Sequence, residues 1–119
     1  MQRAEFERLV EEVLEKLPDE FKDKLENVDV VIEDYSSKDL SGVGRGGFLL
    51  GLYQGIPLSK RTHYYAGGLP DKISIFKRNV ERICNSRKDI AKAVKRVIQH
   101  EIAHHFGISD ERLRELGLY

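Results

Sequence analysis

The chain has 119 residues, of which 40% are hydrophobic, and its 20 basic and 20 acidic side chains give a net charge of zero. This length has room for one globular domain, residues 1–119, and excludes a second. No run of about 18 uninterrupted apolar residues is present, and the N-terminal residues are charged rather than apolar, so we predict a soluble, unexported, cytoplasmic protein.

One cysteine, Cys84, excludes an intramolecular disulfide and a cysteine-rich zinc finger, and is typical of a reducing compartment. We interpret it as a buried small hydrophobe rather than a catalytic thiol.

Charge is unevenly distributed along the chain. Residues 1–40 carry 6 basic and 13 acidic side chains, whereas residues 60–100 carry 11 basic and 3 acidic ones. The simpler interpretation is that two solvated faces of opposite sign attract each other within the fold. The alternative is a basic surface that meets nucleic acid or an acidic partner. Its basic side chains would be Lys77, Arg78, Arg82, Arg87, Lys88, Lys92, Lys95 and Arg96.

The first third of the chain predicts two helices and a strand. Apolar residues at three- and four-residue spacing predict an amphipathic helix over residues 2–17, which Pro18 ends. A short helix over residues 19–25 follows. The β-branched run Val28–Glu33 is too short for a helix and predicts a largely buried strand.

The middle of the chain predicts two more strands, over residues 48–53 and 73–76. Gly42, Gly44 and Gly47 formally match the G-x-G-x-x-G pattern of dinucleotide-binding loops. They precede a strand instead of opening a helix, so we exclude dinucleotide binding and predict a loop or hairpin connection.

The last third predicts a long helix over residues 86–106, with Ser86 as N-cap and Gly107 at its end. A final helix over residues 110–116, capped by Ser109, follows. Helices, then strands, then helices predict an α+β fold, with a small mixed sheet of three to four strands packed on the N-terminal helices and the long helix.

The long helix carries the sequence H-E-I-A-H at residues 100–104. Residues four apart on a helix project from one face, so His100 and His104 have the spacing of two imidazoles on one metal ion. Glu101 points about 100° further round, where it cannot complete the ligand set but can reach a water on the metal as a general base. The pair is predicted at the edge of the buried face, where one side of a site is packed and the other open.

His105 falls in the middle of the predicted apolar sector. We therefore interpret it as a buried histidine that hydrogen-bonds to backbone or a carboxylate, and not as a ligand of the same metal. On the opposite side, Gln99 is predicted to share the polar sector with the lysines and arginines of the helix.

A catalytic zinc site needs a third protein ligand and leaves its fourth position for water. The acidic residues after His104 are Asp110, Glu111 and Glu115. Gly107 is placed to fold the chain back with a positive φ, and Asp110 follows three residues later, so Asp110 is the favoured ligand. The alternative is that Asp110 is an ordinary acid in the first turn of a helix.

Residues 100–110 resemble the extended H-E-x-x-H-x-x-G-x-x-H/D signature of zincin metallopeptidases, in the variant that ends in aspartate. Residues 51–58, 70–71 and 105–110 also look like the small bacterial minimal zincin family, and this likeness runs from about residue 5 to the end. The resemblance implies a zincin-like fold with a short sheet over the active-site helix, one Zn²⁺ per chain and peptidase activity. The matching residues are His100, Glu101, His104, Gly107 and Asp110.

We predict that zinc activates a water, that Glu101 accepts its proton, and that a peptide or protein substrate is the reactant. An exposed strand over residues 48–53 would hold the peptide by edge pairing, with Gly46 and Gly47 allowing close backbone approach. One candidate substrate contact is Tyr53, at the end of that strand. The others are Arg61, His63, Tyr64 and Tyr65, for which a surface loop with partly packed tyrosines is an equally good interpretation.

Two other functions are compatible with the same residues. A metal-stabilised module that binds a peptide or partner without turnover would use the same ligands and would not need Glu101. A nucleic-acid accessory domain would use the basic stretch and show steep salt dependence.

Overall fold

A computed structural model describes residues 1–35, 49–55 and 70–117. Two helices at the N-terminus, α1 (Arg3–Glu15) and α2 (Asp19–Lys24), precede strands β1 (Val28–Glu33), β2 (Gly51–Gln54) and β3 (Asp71–Phe76). Helices α3 (Lys77–Ile83), α4 (Arg87–Phe106) and α5 (Asp110–Glu115) complete the described chain. The α+β prediction is confirmed.

The three strands form one mixed sheet in the order β1-β3-β2. Strand β1 is parallel to β3, with Val28 opposite Asp71, and β2 is antiparallel to β3, with Tyr53 opposite Ile73. Strand β3 is therefore central, and Ile73 and Ile75 are fully buried. Within the described ranges β2 lies at an edge of this sheet, as the peptide-binding hypothesis requires.

Helix α4 packs against β2, β3, α1, α2 and α3. Its buried stripe repeats at helical spacing, so one long helix can meet both the sheet and the N-terminal helices. Burial of this kind contributes roughly 25 cal/mol per Å² of apolar surface. The core combines this stripe with α1, α2 and β3, through Phe6, Leu9, Val10, Phe21, Ile73, Ile75, Val94, Ile98 and Ile102.

The helix boundaries follow local signals. The Ser86 hydroxyl accepts a hydrogen bond from the Asp89 backbone N–H, which caps α4, and the Ser109 hydroxyl accepts one from the Arg112 N–H, which caps α5. Gly107 ends α4 in the left-handed conformation, with φ of 70° and ψ of 28°. Both predicted caps and the positive φ of Gly107 are confirmed.

Helix α3 was not predicted, and two predictions of exposure are wrong. Lys77, assigned to the basic surface, is buried because it begins α3, contacts the ring face of Phe6 and pairs with Glu81 at 3.2 Å. Gln99, assigned to the polar face of α4, is only 3% exposed, because elements packed against α4 and not its own sequence pattern decide which of its side chains are covered.

Strand β1 is half-buried rather than largely buried, since it is an edge strand of the sheet that the described residues form, and β3 begins two residues before the predicted start. The opposite charges do meet in one place: Arg87 of α4 reaches Glu5 and Glu12 of α1 at 3.4 and 3.5 Å. No helix in the described parts of the chain is long and apolar enough to cross a membrane.

Candidate metal centre

The residues of the H-E-x-x-H motif all lie on the last turns of α4. His100 is partly exposed and His104 exposed, with ring centroids 6.4 Å apart. Both imidazoles therefore leave the helix on the same side, next to its buried stripe and open to solvent. This is the placement that the helical spacing predicted.

The tautomer of His100 follows from its hydrogen bond. Its Nδ1 lies 2.8 Å from the backbone oxygen of Arg96. A carbonyl oxygen only accepts, so Nδ1 carries the proton and the lone pair of the neutral ring lies on Nε2. A backbone carbonyl that orients a histidine in this way is the usual support of an imidazole ligand.

Glu101 contacts the edge strand. Its Oε1 accepts a hydrogen bond from the backbone N–H of Tyr53 at 2.9 Å. Just before β2, the carbonyl oxygen of Leu50 accepts a hydrogen bond from the Phe76 N–H at 3.0 Å. Leu50 and Leu52 therefore belong to the residues whose backbone groups bond to β3. Because such residues alternate along an antiparallel strand, the N–H and C=O groups of Tyr53 point away from β3. The carboxylate thus lies between the histidine pair and the outer edge of β2.

Asp110 reaches the neighbourhood of α4 through the turn at Gly107. The Ile108 N–H donates to the Ala103 carbonyl at 2.8 Å, which closes the C-terminal turn of α4. Asp110 is the first residue of α5 and is exposed. The alternative role, an acid in the first turn of a capped helix, therefore describes its position as well.

The donor set fits zinc in kind. Two imidazoles, one of them oriented by a backbone carbonyl at its Nδ1, and a carboxylate beyond the turn are typical zinc ligands. Two rings sharing a tetrahedral zinc, each nitrogen about 2.1 Å away, would have centroids roughly 5 Å apart. The observed 6.4 Å is wider than that, and no three His, Cys, Asp or Glu residues within the described ranges lie close enough to form a ready-made metal cluster.

His105 leaves α4 toward the sheet. Its ring stacks on Tyr53 with centroids 3.8 Å apart and planes at 17°, and its Nε2 lies 4.0 Å from Oδ2 of Asp71. A buried histidine that hydrogen-bonds to backbone or a carboxylate was predicted. The Asp71 carboxylate is near, but 4.0 Å is too long for a hydrogen bond, and the predicted burial is wrong because the His105 side chain is 41% exposed. The helical pattern of α4 could not place the sheet, and among the described residues it is the Tyr53 ring that stacks on one face of His105.

A shallow cavity of about 230 Å³ lies beside His100 and Glu101. Gly51 of the edge strand and the two residues before it, Leu49 and Leu50, form one wall, and Arg96 and Val97 of α4 form the other. An extended chain placed in this cavity would run along β2 and pass the Glu101 carboxylate.

Of the candidate substrate contacts, Tyr53 lies at the site, through its backbone contact with Glu101. Arg61, His63, Tyr64, Tyr65, Gly46 and Gly47 lie outside the described residues, as does residue 48 of the predicted edge strand. Asp71 was missed, because the strand was predicted to begin at residue 73 and left Asp71 outside it. Its position at the start of β3, opposite the end of β2, brings it to Tyr53.

Comparisons with known proteins agree with this fold. A family model described as zincin-like metallopeptidase matches residues 25–118. A solved structure of a conserved hypothetical protein from Thermus thermophilus is similar over 89% of this chain and 94% of that chain, with a TM-score of 0.59 and 23% sequence identity. None of the curated proteins compared with the chain matches it.

Proposed function

Because the chain belongs to the zincin-like metallopeptidase family, we propose that it hydrolyses peptide bonds with one zinc ion held by His100, His104 and Asp110. When bound, zinc supplies Lewis acidity, which makes a water molecule more acidic and polarises a carbonyl group. The tautomer of His100, with its lone pair on Nε2, supports its role as a ligand.

The observation that carries this proposal is the position of Glu101. Its carboxylate lies on the same helical turns as the histidine pair and contacts the backbone of the edge strand at 2.9 Å. A carboxylate there takes a proton from water and passes it to the leaving amine, since the same group serves first as base and then as acid.

The edge strand supplies the substrate site. Because the Tyr53 N–H already donates to Glu101, an extended peptide would pair with the other outward backbone groups of β2, and the cavity between β2 and α4 leaves room for that peptide beside Glu101. Main-chain pairing of this kind recognises unfolded or flexible segments, so we propose flexible peptide segments as substrates.

The experiment compares zinc content and cleavage of a peptide library in the wild type and in Glu101→Gln. We expect equal zinc stoichiometry and a loss of about 100-fold or more in cleavage rate, because proton transfer contributes that much. Glu11→Gln, which makes the same change at an exposed position of α1, is the matched control and should cleave like the wild type.

Equal zinc with equally low cleavage in wild type and Glu101→Gln would refute the peptidase proposal. The metal-stabilised binding module would then be the better interpretation, because it uses the ligands without the base.

A further inference from the structure

Tyr53 contacts the site through two different parts of the residue. Its backbone N–H donates to Oε1 of Glu101 at 2.9 Å, and its hydroxyl donates to Oδ2 of Asp71 at 2.7 Å. A hydrogen bond to a carboxylate is about twice as strong as one between neutral groups. The position of the Tyr53 side chain is therefore coupled to the position of its backbone donor.

The Tyr53 ring is also held by the end of α4. His105 stacks on one face of the ring, with centroids 3.8 Å apart, and Phe106 meets it edge-on at 6.1 Å. The Asp71 side chain is 16% exposed, and its Oδ2 lies 4.0 Å from His105 Nε2. The same oxygen accepts the hydrogen bond from the Tyr53 hydroxyl, so it faces both Tyr53 and His105. Asp71 of β3 and His105 and Phe106 of α4 thus form one small cluster around the Tyr53 side chain.

Local structure explains why such a cluster matters here. Strand β2 has four residues, and its pairing with β3 ends at Gln54, one residue after Tyr53. The end of a short edge strand frays easily, because few contacts oppose local opening. The side-chain contacts of Tyr53 therefore add to its pairing with β3 in restraining its backbone N–H.

We propose that Asp71 and His105 are positioning residues that act through Tyr53: they hold its backbone N–H against Glu101 and so set the orientation of the general base. The inference rests on the proposed function for its effect on rate. Its structural part, the restraint on the Tyr53 N–H, stands independently of turnover.

Activity tests the effect on Glu101. In the zinc-loaded protein, Asp71→Ala and Tyr53→Phe should each lower kcat about 10-fold to 100-fold, since small misplacement of a catalytic group costs that much. KM and zinc affinity should stay within about twofold of the wild type. Asp71→Asn, whose amide oxygen still accepts from the tyrosine hydroxyl, should retain more kcat than Asp71→Ala.

Two further variants separate the proposed coupling from general damage. The double variant Tyr53→Phe with Asp71→Ala should be no slower than the slower single variant, because both changes remove the same contact. His105→Phe, which keeps a ring for stacking, should be faster than His105→Ala. Tyr35→Phe is the matched control at an exposed tyrosine and should leave kcat unchanged.

Hydrogen exchange tests the restraint without any activity. In the zinc-loaded protein, the backbone amide of residue 53 should exchange about 10-fold faster in Asp71→Ala and in Tyr53→Phe than in the wild type. The exchange rate of the Leu52 amide, which pairs with β3, should not change. Unchanged Tyr53 exchange in both variants would overturn the inference, whatever the activity. If the wild type cleaves no peptide, the proposed function fails, and Tyr53 exchange alone decides between support and rejection.

Discussion

Gly51 of β2 lies directly against Val97 of α4, and a methyl group on Gly51 would overlap Cγ1 of Val97. The same methyl would lie 2.9 Å from the backbone oxygen of Ser74 in β3. The glycine therefore lets the edge strand approach α4 closely enough for the Tyr53 N–H to reach Glu101.

Gly51→Ala should destabilise the fold by about 1 to 3 kcal/mol, because the added methyl group overpacks a close contact. The double variant Gly51→Ala with Val97→Ala removes the side-chain atoms that the new methyl group overlaps, so it should recover part of the lost stability. Recovery stays incomplete since the Ser74 oxygen belongs to the backbone and cannot move aside. Urea unfolding measures both effects, and a Gly51→Ala stability equal to wild type would contradict the close approach.

Gly107→Ala should cost roughly 1 kcal/mol, because an L-residue with a side chain is strained at a φ of 70°. Among the described residues, leaving aside the two chain neighbours of Gly107, no atom lies within 4 Å of the added methyl, so the cost comes from the backbone conformation. Asn, which tolerates the left-handed conformation better, should be the mildest replacement. Thermal unfolding of the Ala and Asn variants checks this order, and equal midpoints would contradict it.

Asp110→Ala should lower zinc affinity by about 10-fold or more, if the carboxylate completes the ligand set. Competition with a chelator measures the affinity. The matched control is Glu111→Ala, which removes the adjacent acid of the same first turn and should bind zinc like the wild type. Wild-type affinity in Asp110→Ala would instead leave Asp110 as an ordinary helix acid.

Glu81 should make the stability of the fold depend on pH. Burial raises the pKa of its carboxyl, but hydrogen bonds from the Met1 amino group and Lys77, together with their positive charges, outweigh it and hold the pKa below its ordinary value. A carboxyl group whose pKa is lower in the folded protein than in the unfolded chain stabilises the fold fully at a pH above the unfolded-state pKa. This stabilisation is lost as the pH falls through the folded-state pKa. Unfolding midpoints from roughly pH 5 to pH 3 should therefore fall less steeply in Glu81→Gln than in the wild type. The same slope in both proteins would rule out this contribution.

Cys84 should react slowly with thiol reagents in the folded protein. Burial, and then the negative charge of Asp89, raise the pKa of its thiol, and only the thiolate is nucleophilic. Alkylation by iodoacetamide at neutral pH should be slower than in the urea-unfolded chain and slightly faster in Asp89→Asn. A folded-state rate equal to that of the unfolded chain would contradict the prediction.

The sequence by itself determined the helix that carries the site. The spacing of His100 and His104, the cap at Ser86 and the left-handed turn at Gly107 are local properties, because each depends on residues within a turn or two of one helix. The family resemblance rests on this window together with residues 51–58 and 70–71, and it is confirmed by the family model over residues 25–118.

Only the tertiary structure decided what faces Glu101 and His105. The Tyr53 N–H lies 48 positions from Glu101 along the chain, and Asp71 lies 34 positions before His105, so no periodicity links them. The sheet order β1-β3-β2 brings these residues together by placing β2 beside both β3 and α4. Burial of Gln99 and Lys77 escaped prediction for the same reason, because neighbouring elements, not the pattern of one helix, decide which side chains lose contact with water.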